Sequence, residues 1–415
     1  MKDIRKIGFA KLIPVDEALD KLFSHIYTVE AEEVNIKDAL NRISAEDIKS
    51  KFDLPPFDRA AMDGYAIKAE DSFGASPKNP KKVKLIGTID IGKSTNISIR
   101  KGEAVRISTG AAIPDGCTAV IKIEDTEIDG EEITLYTALT PGKNISFKGE
   151  DVKVNTTIIN KGTDLKAEHI ALLCALGHAK IKVKIKPKVS VFATGDELIE
   201  IGNNLEKNKI YNSNSPMITS LVKIYGGDVV KEGTLKDDEN VIESNLLNAV
   251  KESDIIIFTG GTSVGTKDLL PDIIKKNGKI IAHGLAMRPG TPILIGMVND
   301  KVVFCLPGTP VAAYVGFLKI VGPTIRKMME CSEVDPRMRT LAKISKNVPT
   351  SGLGYLSYLR VKLEYKSDEI IAHPIKLKGS GIISSITEAD GIIEIPPYQE
   401  GLTKGDLVIV RYFPK

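Results

Sequence analysis

The 415-residue sequence has no tryptophan, and aromatic residues make up only 5% of it. Binding of single-stranded nucleic acid relies on aromatic side chains that stack with the bases, so the composition disfavours that class of protein. Charge of one sign is also scarce, because 57 Lys and Arg stand against 54 Asp and Glu, a net charge of +3. Since a nucleic-acid backbone is held mainly by an excess of positive charge, we expect no nucleic-acid partner.

Paired cysteines and long apolar runs are missing as well. The four cysteines lie far apart and form no C-x-x-C motif, which disfavours a zinc site or a redox dithiol. An apolar run such as 170–176 is far shorter than the roughly 20 residues that a membrane-spanning helix needs. The first residues, MKDIR, do not begin a secretory signal. We therefore expect a cytoplasmic protein with no membrane partner.

The proportions of apolar and charged residues, 42% and 27%, are typical of a globular protein. The length indicates two to four domains. Apolar residues at helical spacing predict a helix over 15–26, and a further helix is predicted over 167–176. Between them the sequence changes to short strands separated by turn residues. We predict a helical linker domain, 1–50 plus 145–185, with a β-rich domain, 51–144, inserted into it.

The second half of the sequence shows two patterns of predicted secondary structure. Strands and helices alternate over 186–331, which predicts a mostly parallel sheet with helices on both faces. Over 332–415 the pattern returns to short strands with Gly and Pro between them, as in a small barrel of about five strands. The expected fold class is thus a multidomain α/β protein with a central α/β domain and a C-terminal β-barrel.

Three strand ends of the α/β domain carry residues suited to ligand binding, since ligands of open α/β sheets bind beyond the carboxyl ends of the strands. They are the glycine loop TGGTSVGTKD at 259–268, LPGTP at 306–310 and TGDEL at 194–198. Glycines let backbone N–H groups approach an anion, and hydroxyls add further hydrogen-bond donors. Each segment also has a plain structural interpretation: a tight turn, a helix cap at Thr309–Pro310, and solvated acids.

Acidic residues near a phosphate cradle suggest a divalent cation, because Mg²⁺ takes one or two carboxylates together with phosphate oxygens. Asp268 and Asp237 are the candidates, although Asp237 and Asp238 could simply complement a helix dipole. Glu197 becomes a candidate general base if burial raises its pKa. Arg288, in a loop rich in Pro and Gly, suits a phosphate or carboxylate contact, or is a solvated surface arginine.

These motifs together resemble a known family. The segment PPFDRAAMDGYA at 55–66 is similar to the signature of the molybdopterin molybdenumtransferases, the MoeA proteins, which are related to the E domain of gephyrin. RISTGA at 106–111, GEDV at 149–152, and the three α/β strand ends follow in the order of the family. The resemblance covers essentially the whole chain. It implies insertion of molybdate into adenylylated molybdopterin with release of AMP, a requirement for Mg²⁺, and a homodimer with a shared cleft.

The resemblance also implies roles for individual residues. As catalytic residues it suggests Asp63, Glu197, Asp237 and Asp268, of which Asp237 and Asp268 would bind the metal. Its substrate-binding residues would be Thr109, Gly260, Gly261, Thr262, Ser263, Gly265, Arg288, Pro307, Gly308, Pro310, Arg360 and Ser384.

The chain departs from the family pattern at three positions. Many bacterial members have lysines where this chain has Gly284 and Arg288, and Asn where it has Thr309. Because Lys and Arg are not equivalent at an oxyanion site, these changes leave room for tungstate instead of molybdate. Two other functions compete with the insertase: adenylyl transfer to molybdopterin, which would consume ATP, and a scaffold that dimerises and binds peptides.

Overall fold

The computed structural model describes residues 12–93, 96–261, 269–350, 352–375 and 379–414. It divides into the four regions that the sequence suggests: a linker region, an inserted sheet, an α/β domain and a terminal barrel. None of the helices in these ranges combines the length and the apolar character that crossing a membrane requires.

A six-stranded sheet forms the centre of the α/β domain. Its first four strands in spatial order are parallel, the fifth runs antiparallel to them, and the sixth is antiparallel to the fifth, which confirms the predicted mostly parallel sheet. In spatial order the strands are Asp228–Leu235, Lys188–Thr194, Ile255–Thr259, Lys301–Leu306, Leu294–Val298 and Gly278–His283. Two short strands, Leu198–Ile199 and Ile210–Tyr211, form a separate pair beside the first of the site loops.

Helices cover both faces of this sheet, because alternate side chains of each strand point to opposite sides. Val191, Ile257 and Phe304 belong to one core, and Phe192 and Phe258 belong to the other, with ring centroids 5.5 Å apart. The helices are Asn214–Ile224, Glu239–Glu252, Leu270–Asn277, Pro310–Gly316 and Gly322–Met328.

The helix that begins at Pro310 contains a π-helical segment, Phe317–Val321, between its two α-helical parts. Pro323 follows this segment and has no amide hydrogen, so the regular hydrogen-bond ladder cannot reach the carbonyl of Lys319. The change of helix type accommodates that interruption without ending the helix.

In the linker region, strands hold the two chain segments together. Ala31–Asn35 pairs with Lys180–Lys184, and Ile48–Lys49 pairs with Thr157–Ile159. Helices are expected here from the sequence, and these strands are missed, although Lys180–Lys184 alternates between polar and apolar residues. Among the described residues of this region, Val15–Phe23 and Ala167–Ala175 are α-helices. The first packs its apolar side into the core of the α/β domain.

The inserted region is a second six-stranded sheet, which confirms its β-rich character. In spatial order its strands are Ala119–Lys122, Gly64–Ile67, Glu103–Ile107, Lys81–Ile89, Glu132–Leu135 and Thr126–Asp129. A short pair, Arg59–Ala60 with Ile145–Ser146, lies where the chain enters and leaves this region. Apolar residues fill both faces of the sheet, with Tyr65 and Ile67 on one side and Ala66 and Val105 on the other.

The C-terminal region is a closed five-stranded barrel, as predicted. The strands follow one another around the barrel in the order Leu356–Tyr365, Ile370–Pro374, Arg339–Ile344, Leu407–Tyr412 and Gly391–Ile395, and the last pairs with the first. Val348–Pro349 and Gly401–Leu402 form a short pair, and Ser384–Thr387 is a helical turn.

Contacts of several kinds join the barrel to the α/β domain. The strand Met287–Arg288 pairs in parallel with Leu356 and Ser357 of the barrel. Lys319 forms an ion pair of 3.3 Å with Glu394, and the rings of Tyr314 and Phe413 pack edge to face at 5.1 Å. Backbone pairing, charge and aromatic packing thus fix the barrel beside the carboxyl end of the central sheet.

The linker region is tied to the α/β domain through Glu330, which accepts hydrogen bonds from Lys184 and, at 2.9 Å, from Lys161. Hydrogen bonds from Lys184 and then from Lys161 lower the pKa of Glu330 below its usual 4.5. Since the folded pKa lies below the unfolded one, the stabilisation is complete above about pH 4.5 and is lost as the pH falls through the folded pKa.

We expect Glu330→Gln to lower the stability at neutral pH and to weaken the loss of stability below about pH 4.5. Urea unfolding measured from neutral to acidic pH checks this. The exposed Glu388 provides a control, Glu388→Gln, which should follow the wild-type pH profile. Parallel profiles for Glu330→Gln and the wild type would contradict the assignment.

Candidate functional site

Three loops meet at the carboxyl edge of the central sheet because their strands are parallel neighbours. The amide of Gly260 donates a 3.0 Å hydrogen bond to the carbonyl of Leu306, and Gly195 donates one of 3.3 Å to Leu235. The loops that follow Thr194, Thr259 and Leu306 are therefore brought together, as the sequence predicts.

Gly260 is required by this close approach. Its φ is +96°, and a Cβ there would lie 2.4 Å from the carbonyl oxygen of Thr194. Gly261 has a φ of +60°, and a Cβ there would lie 3.1 Å from the Thr194 hydroxyl oxygen. Residues with L side chains rarely adopt such φ values, and a larger residue would push the loops apart. The two glycines are therefore required for the packing of the loops as well as suited to face a ligand.

These loops surround an open cleft of about 550 Å³. Its walls carry two of the candidate acids, Glu197 and Asp237, with several hydroxyls and amides and the LPGTP segment. The lining residues that bear on function are Thr194, Gly195, Glu197, Asn212, Asn214, Asp237, Thr259, Gly260, Gly261, Pro307, Gly308, Pro310 and Ser380.

Buried polar atoms in the cleft indicate a polar ligand. The Thr194 and Thr259 hydroxyls and the Asn214 side-chain oxygen are buried, and each lacks a hydrogen-bond partner among the described residues. The amide nitrogen of Asn214 donates to the carbonyl of Gly308 at 2.8 Å, which fixes its side chain. Since an unsatisfied buried polar group costs roughly 1–3 kcal/mol, these atoms favour a bound molecule that hydrogen-bonds to them.

The adjacent acids of the first loop have different surroundings. Glu197 lines the cleft, whereas Asp196 lies outside it and accepts a 3.3 Å hydrogen bond from the amide of Asp237. This is the division that two neighbouring acids at a strand end predict. Glu197 is exposed, so the burial that would make it a general base is absent.

Asp237 and Asp238 also differ from each other in their surroundings. Asp238 is the N-cap of helix Glu239–Glu252, and its carboxylate accepts a 3.0 Å hydrogen bond from the amide of Val241. Asp237 is half-buried and lines the cleft. Asp238 therefore has the structural role of a helix cap, whereas Asp237 faces the cleft.

The glycine loop continues beyond Gly261 into 262–268. Thr262, Ser263, Gly265 and Asp268 lie outside the described residues. Within the described ranges no three His, Cys, Asp or Glu side chains form a group that could hold a metal ion by themselves. The described part of the site thus offers Glu197 and Asp237 as its acidic side chains facing the cleft.

The LPGTP segment forms the floor of the cleft. Pro310 is the first residue of its helix, as expected, and Thr309 occupies the N-cap position. The Thr309 side chain is exposed and makes no capping hydrogen bond within the described chain. The start of the helix is therefore predicted correctly. Thr309 occupies the N-cap position, but its side chain does not cap the helix within the described chain.

A second cavity, of about 510 Å³, lies next to the cleft and shares Pro289, Thr291 and Ser380 with it. It contains Arg288 of the α/β domain and Arg360 of the barrel. Arg360 is buried, and this burial lowers its pKa. Ser357 and Tyr358 also border the cavity, and their hydroxyl oxygens are buried and lack partners among the described residues. The two cavities adjoin at the domain junction through the three residues that they share.

Two predicted residues lie on the inserted sheet instead. The amide of Thr109 donates a 2.7 Å hydrogen bond to the carboxylate of Asp63, and both residues are exposed. Neither residue lines the cleft or the second cavity. The resemblance implies that both residues contribute to the site from the inserted domain, but the fold of one chain does not bring them to the strand ends.

Ser384 is exposed and lines neither cavity. Ser380, which the sequence analysis does not select, lines both, and its carbonyl accepts a 3.0 Å hydrogen bond from the amide of Val311. Asn212 and Asn214 are missed as well. The polar run YNSNS at 211–215, just before a predicted helix, is the signal that could have found them.

Comparison with known proteins gives matches along the whole chain. Residues 13–177 match the MoeA N-terminal region (domain I and II), 190–327 match a molybdopterin binding domain, and 346–413 match the MoeA C-terminal region (domain IV). A relative from Methanocaldococcus jannaschii named for molybdopterin biosynthesis is 38% identical over 419 residues, covering 99% of this chain and 97% of its own.

Two further matches agree with these. A molybdopterin molybdenumtransferase of Staphylococcus aureus is 35% identical over 397 residues, covering 95% of this chain and 94% of its own. The crystal structure of the molybdopterin biosynthesis protein MoeA from Pyrococcus horikoshii has a TM-score of 0.85 and 36% identity, covering 97% of this chain and 100% of that one.

The polar cleft at the strand ends, the inserted sheet and the closed barrel, with these matches, define a multidomain enzyme of molybdenum cofactor biosynthesis. The resemblance of the sequence motifs is confirmed. The chain belongs to the MoeA family, the molybdopterin molybdenumtransferases.

The N-cap aspartate of helix Glu239–Glu252 provides a direct test of the geometry beside the site. We expect Asp238→Ala to destabilise the protein by about 1 kcal/mol, because it removes the hydrogen bond that the carboxylate accepts from the Val241 amide. Urea unfolding of the variant and of the wild type measures the difference in the free energy of unfolding. Equal free energies would show that the N-cap role is assigned wrongly.

Proposed function

We propose that this protein inserts molybdenum, from molybdate, into adenylylated molybdopterin and releases AMP, acting as a cytoplasmic homodimer. The observation that carries the proposal is the pair of adjoining cavities, one lined by carboxylates, hydroxyls and amides and the other by two arginines. Such a surface fits one substrate with a phosphate group and a second that is an oxyanion. Family membership supports the same reaction class.

The cleft suits the larger substrate. A phosphate oxygen can approach the backbone closely at Gly261, because no side chain shields it there. The unpartnered oxygens of Thr194, Thr259 and Asn214 can hydrogen-bond to the polar ring atoms or hydroxyls of a pterin nucleotide. In this role the loops bind and orient the substrate, which lowers the entropic part of the barrier.

Mg²⁺ fits the acidic side chains that are present. Glu197 and Asp237 face the same cleft, and Mg²⁺ commonly uses only one or two protein carboxylates, with phosphate oxygens and water completing its shell. We therefore propose that Asp237, with Asp268, holds the ion, and that Glu197 orients the substrate beside it. When bound, Mg²⁺ would supply positive charge that neutralises the phosphate of the departing AMP.

The second cavity suits molybdate. A guanidinium group offers several N–H donors in one plane, which matches the oxygens of an oxyanion. Arg288 and Arg360 line this cavity from two different domains. Tungstate has the same charge and shape class, so it is the alternative metal substrate.

Asp63 and Thr109 contribute to the same cleft if two chains associate. Apolar side chains next to this pair are exposed: Met62 is 38% exposed, Ile123 40% and Ile91 65%. Ile201 and Ile210, in the loop beside the cleft, are 66% and 56% exposed. Apolar surface around both halves of a site favours their burial against each other. We propose that the inserted sheet of one subunit covers the cleft of its partner.

The reaction is tested by single-turnover measurement of AMP release from adenylylated molybdopterin with Mg²⁺ and either molybdate or tungstate. We expect release that depends on the oxyanion, and a rate at least about a hundredfold lower for Asp237→Ala, since it loses a carboxylate at the proposed ion site. The preferred oxyanion identifies the metal.

Asp238→Ala is the matched control, because it changes the neighbouring acid but not the cleft, and its rate should stay close to that of the wild type. Absence of AMP release with either oxyanion, from folded protein that binds molybdopterin, would disprove the insertase. ATP consumption with release of pyrophosphate would instead indicate adenylyl transfer.

The shared cleft is tested by mixing two inactive variants, Asp63→Ala and Asp237→Ala, after dissociation and reassociation of the subunits. Half of the dimers should then be mixed, and each mixed dimer has one intact cleft, so about a quarter of the wild-type activity should return. If each cleft were built from one chain, mixing would restore nothing. Sedimentation of the mixture confirms that dimers have formed.

A further inference from the structure

The guanidinium of Arg288 stacks on the ring of Tyr355. The Cζ atom of Arg288 lies 3.7 Å from the ring centroid, the distance of a close cation–π contact. Tyr355 has no role in the resemblance, and it belongs to the barrel side of the junction, whereas Arg288 belongs to the α/β side.

The backbone of Arg288 is held from several directions. Its strand pairs in parallel with Leu356 and Ser357, and the Leu356 amide donates a 2.9 Å hydrogen bond to the carbonyl of Ala286. The hydroxyl of Thr291 donates a 2.7 Å hydrogen bond to the carbonyl of Met287. The main chain is therefore fixed, and the freedom that remains at Arg288 is in its long side chain.

The backbone on both sides of Tyr355 is held in place as well. The preceding residue, Gly354, donates a 2.8 Å hydrogen bond to the carbonyl of Pro397 in the barrel, and the next residue begins the strand Leu356–Tyr365. Tyr355 is half-buried. An aromatic ring has only two side-chain torsions, so a ring held in this way is a rigid surface for a flexible neighbour.

Stacking engages the face of a guanidinium, whereas the N–H donors of the group lie in its plane. An oxyanion binds at the edge of that plane. The contact with Tyr355 therefore restricts the rotamers of Arg288 through the face of the group and does not itself use an N–H donor. Arg288 lines the second cavity together with Arg360.

We propose that Tyr355 is a positioning residue that holds Arg288 in the orientation that binds the oxyanion substrate in the second cavity. The proposal rests on the function proposed above, since it assigns molybdate or tungstate to this cavity. It makes oxyanion binding depend on a contact between two domains.

The test is calorimetric titration of the full-length protein with molybdate, and with tungstate, for the wild type and for Tyr355→Ala and Tyr355→Phe. We expect Tyr355→Ala to weaken binding about fivefold or more, which corresponds to loss of one cation–π contact. Tyr355→Phe keeps the aromatic face and should bind like the wild type. Tyr398→Ala, at a position 83% exposed on the barrel, is the matched control and should also bind normally.

A double-mutant cycle separates positioning from a general structural effect. If Tyr355 acts through Arg288, Tyr355→Ala has no further effect on oxyanion binding in an Arg288→Ala background. In the AMP-release assay, the KM for the oxyanion should rise in Tyr355→Ala while kcat changes little. A thermal melt shows that each variant is folded.

The proposal is overturned if Tyr355→Ala binds the oxyanion as well as the wild type, if the effects of Tyr355→Ala and Arg288→Ala add, or if the wild type binds no oxyanion. Failure of the insertase is a different result: the wild type binds molybdate but releases no AMP. Calorimetry thus decides the role of Tyr355 independently of the reaction.

Discussion

The site depends on the close approach of three loops at one edge of a parallel sheet. Gly260 lies so near the carbonyl of Thr194 that a Cβ would come within 2.4 Å of it, and a Cβ on Gly308 would lie 3.5 Å from the Cα of Gly260. Parallel strands place their carboxyl ends together, and glycines let the loops remain in contact there. The cleft, its buried hydroxyls and the orientation of both acids follow from this packing.

Sequence patterns predict well those features that depend on local periodicity. The parallel strands, their helices and the barrel strands have apolar spacings that leave few alternatives, so their positions agree with the structure to within a few residues. The pairs Asp196–Glu197 and Asp237–Asp238 are harder, because each pair contains one residue with a backbone partner and one that faces the cleft. Only the path of the chain after the strand decides which acid faces which way.

Features that depend on distant contacts escape the sequence analysis. The strands Ala31–Asn35 and Lys180–Lys184 are short and mutually dependent, so neither is predicted alone. Ser380 reaches both cavities because the carbonyl of this residue binds Val311, a contact between domains. The stacking of Arg288 on Tyr355 joins positions that no local motif connects. In each case the missing information is a tertiary contact rather than a residue preference.

The insertion of one domain within another also sets an order of events during synthesis. Ala31–Asn35 must wait for Lys180–Lys184, about 150 residues later, before its edge is paired. The inserted sheet lies entirely between these segments and completes its own strand pairing earlier. A nascent chain therefore holds a folded inner unit while its outer strand remains open, and the ribosome releases the partner strand only after the inner unit has left the exit tunnel.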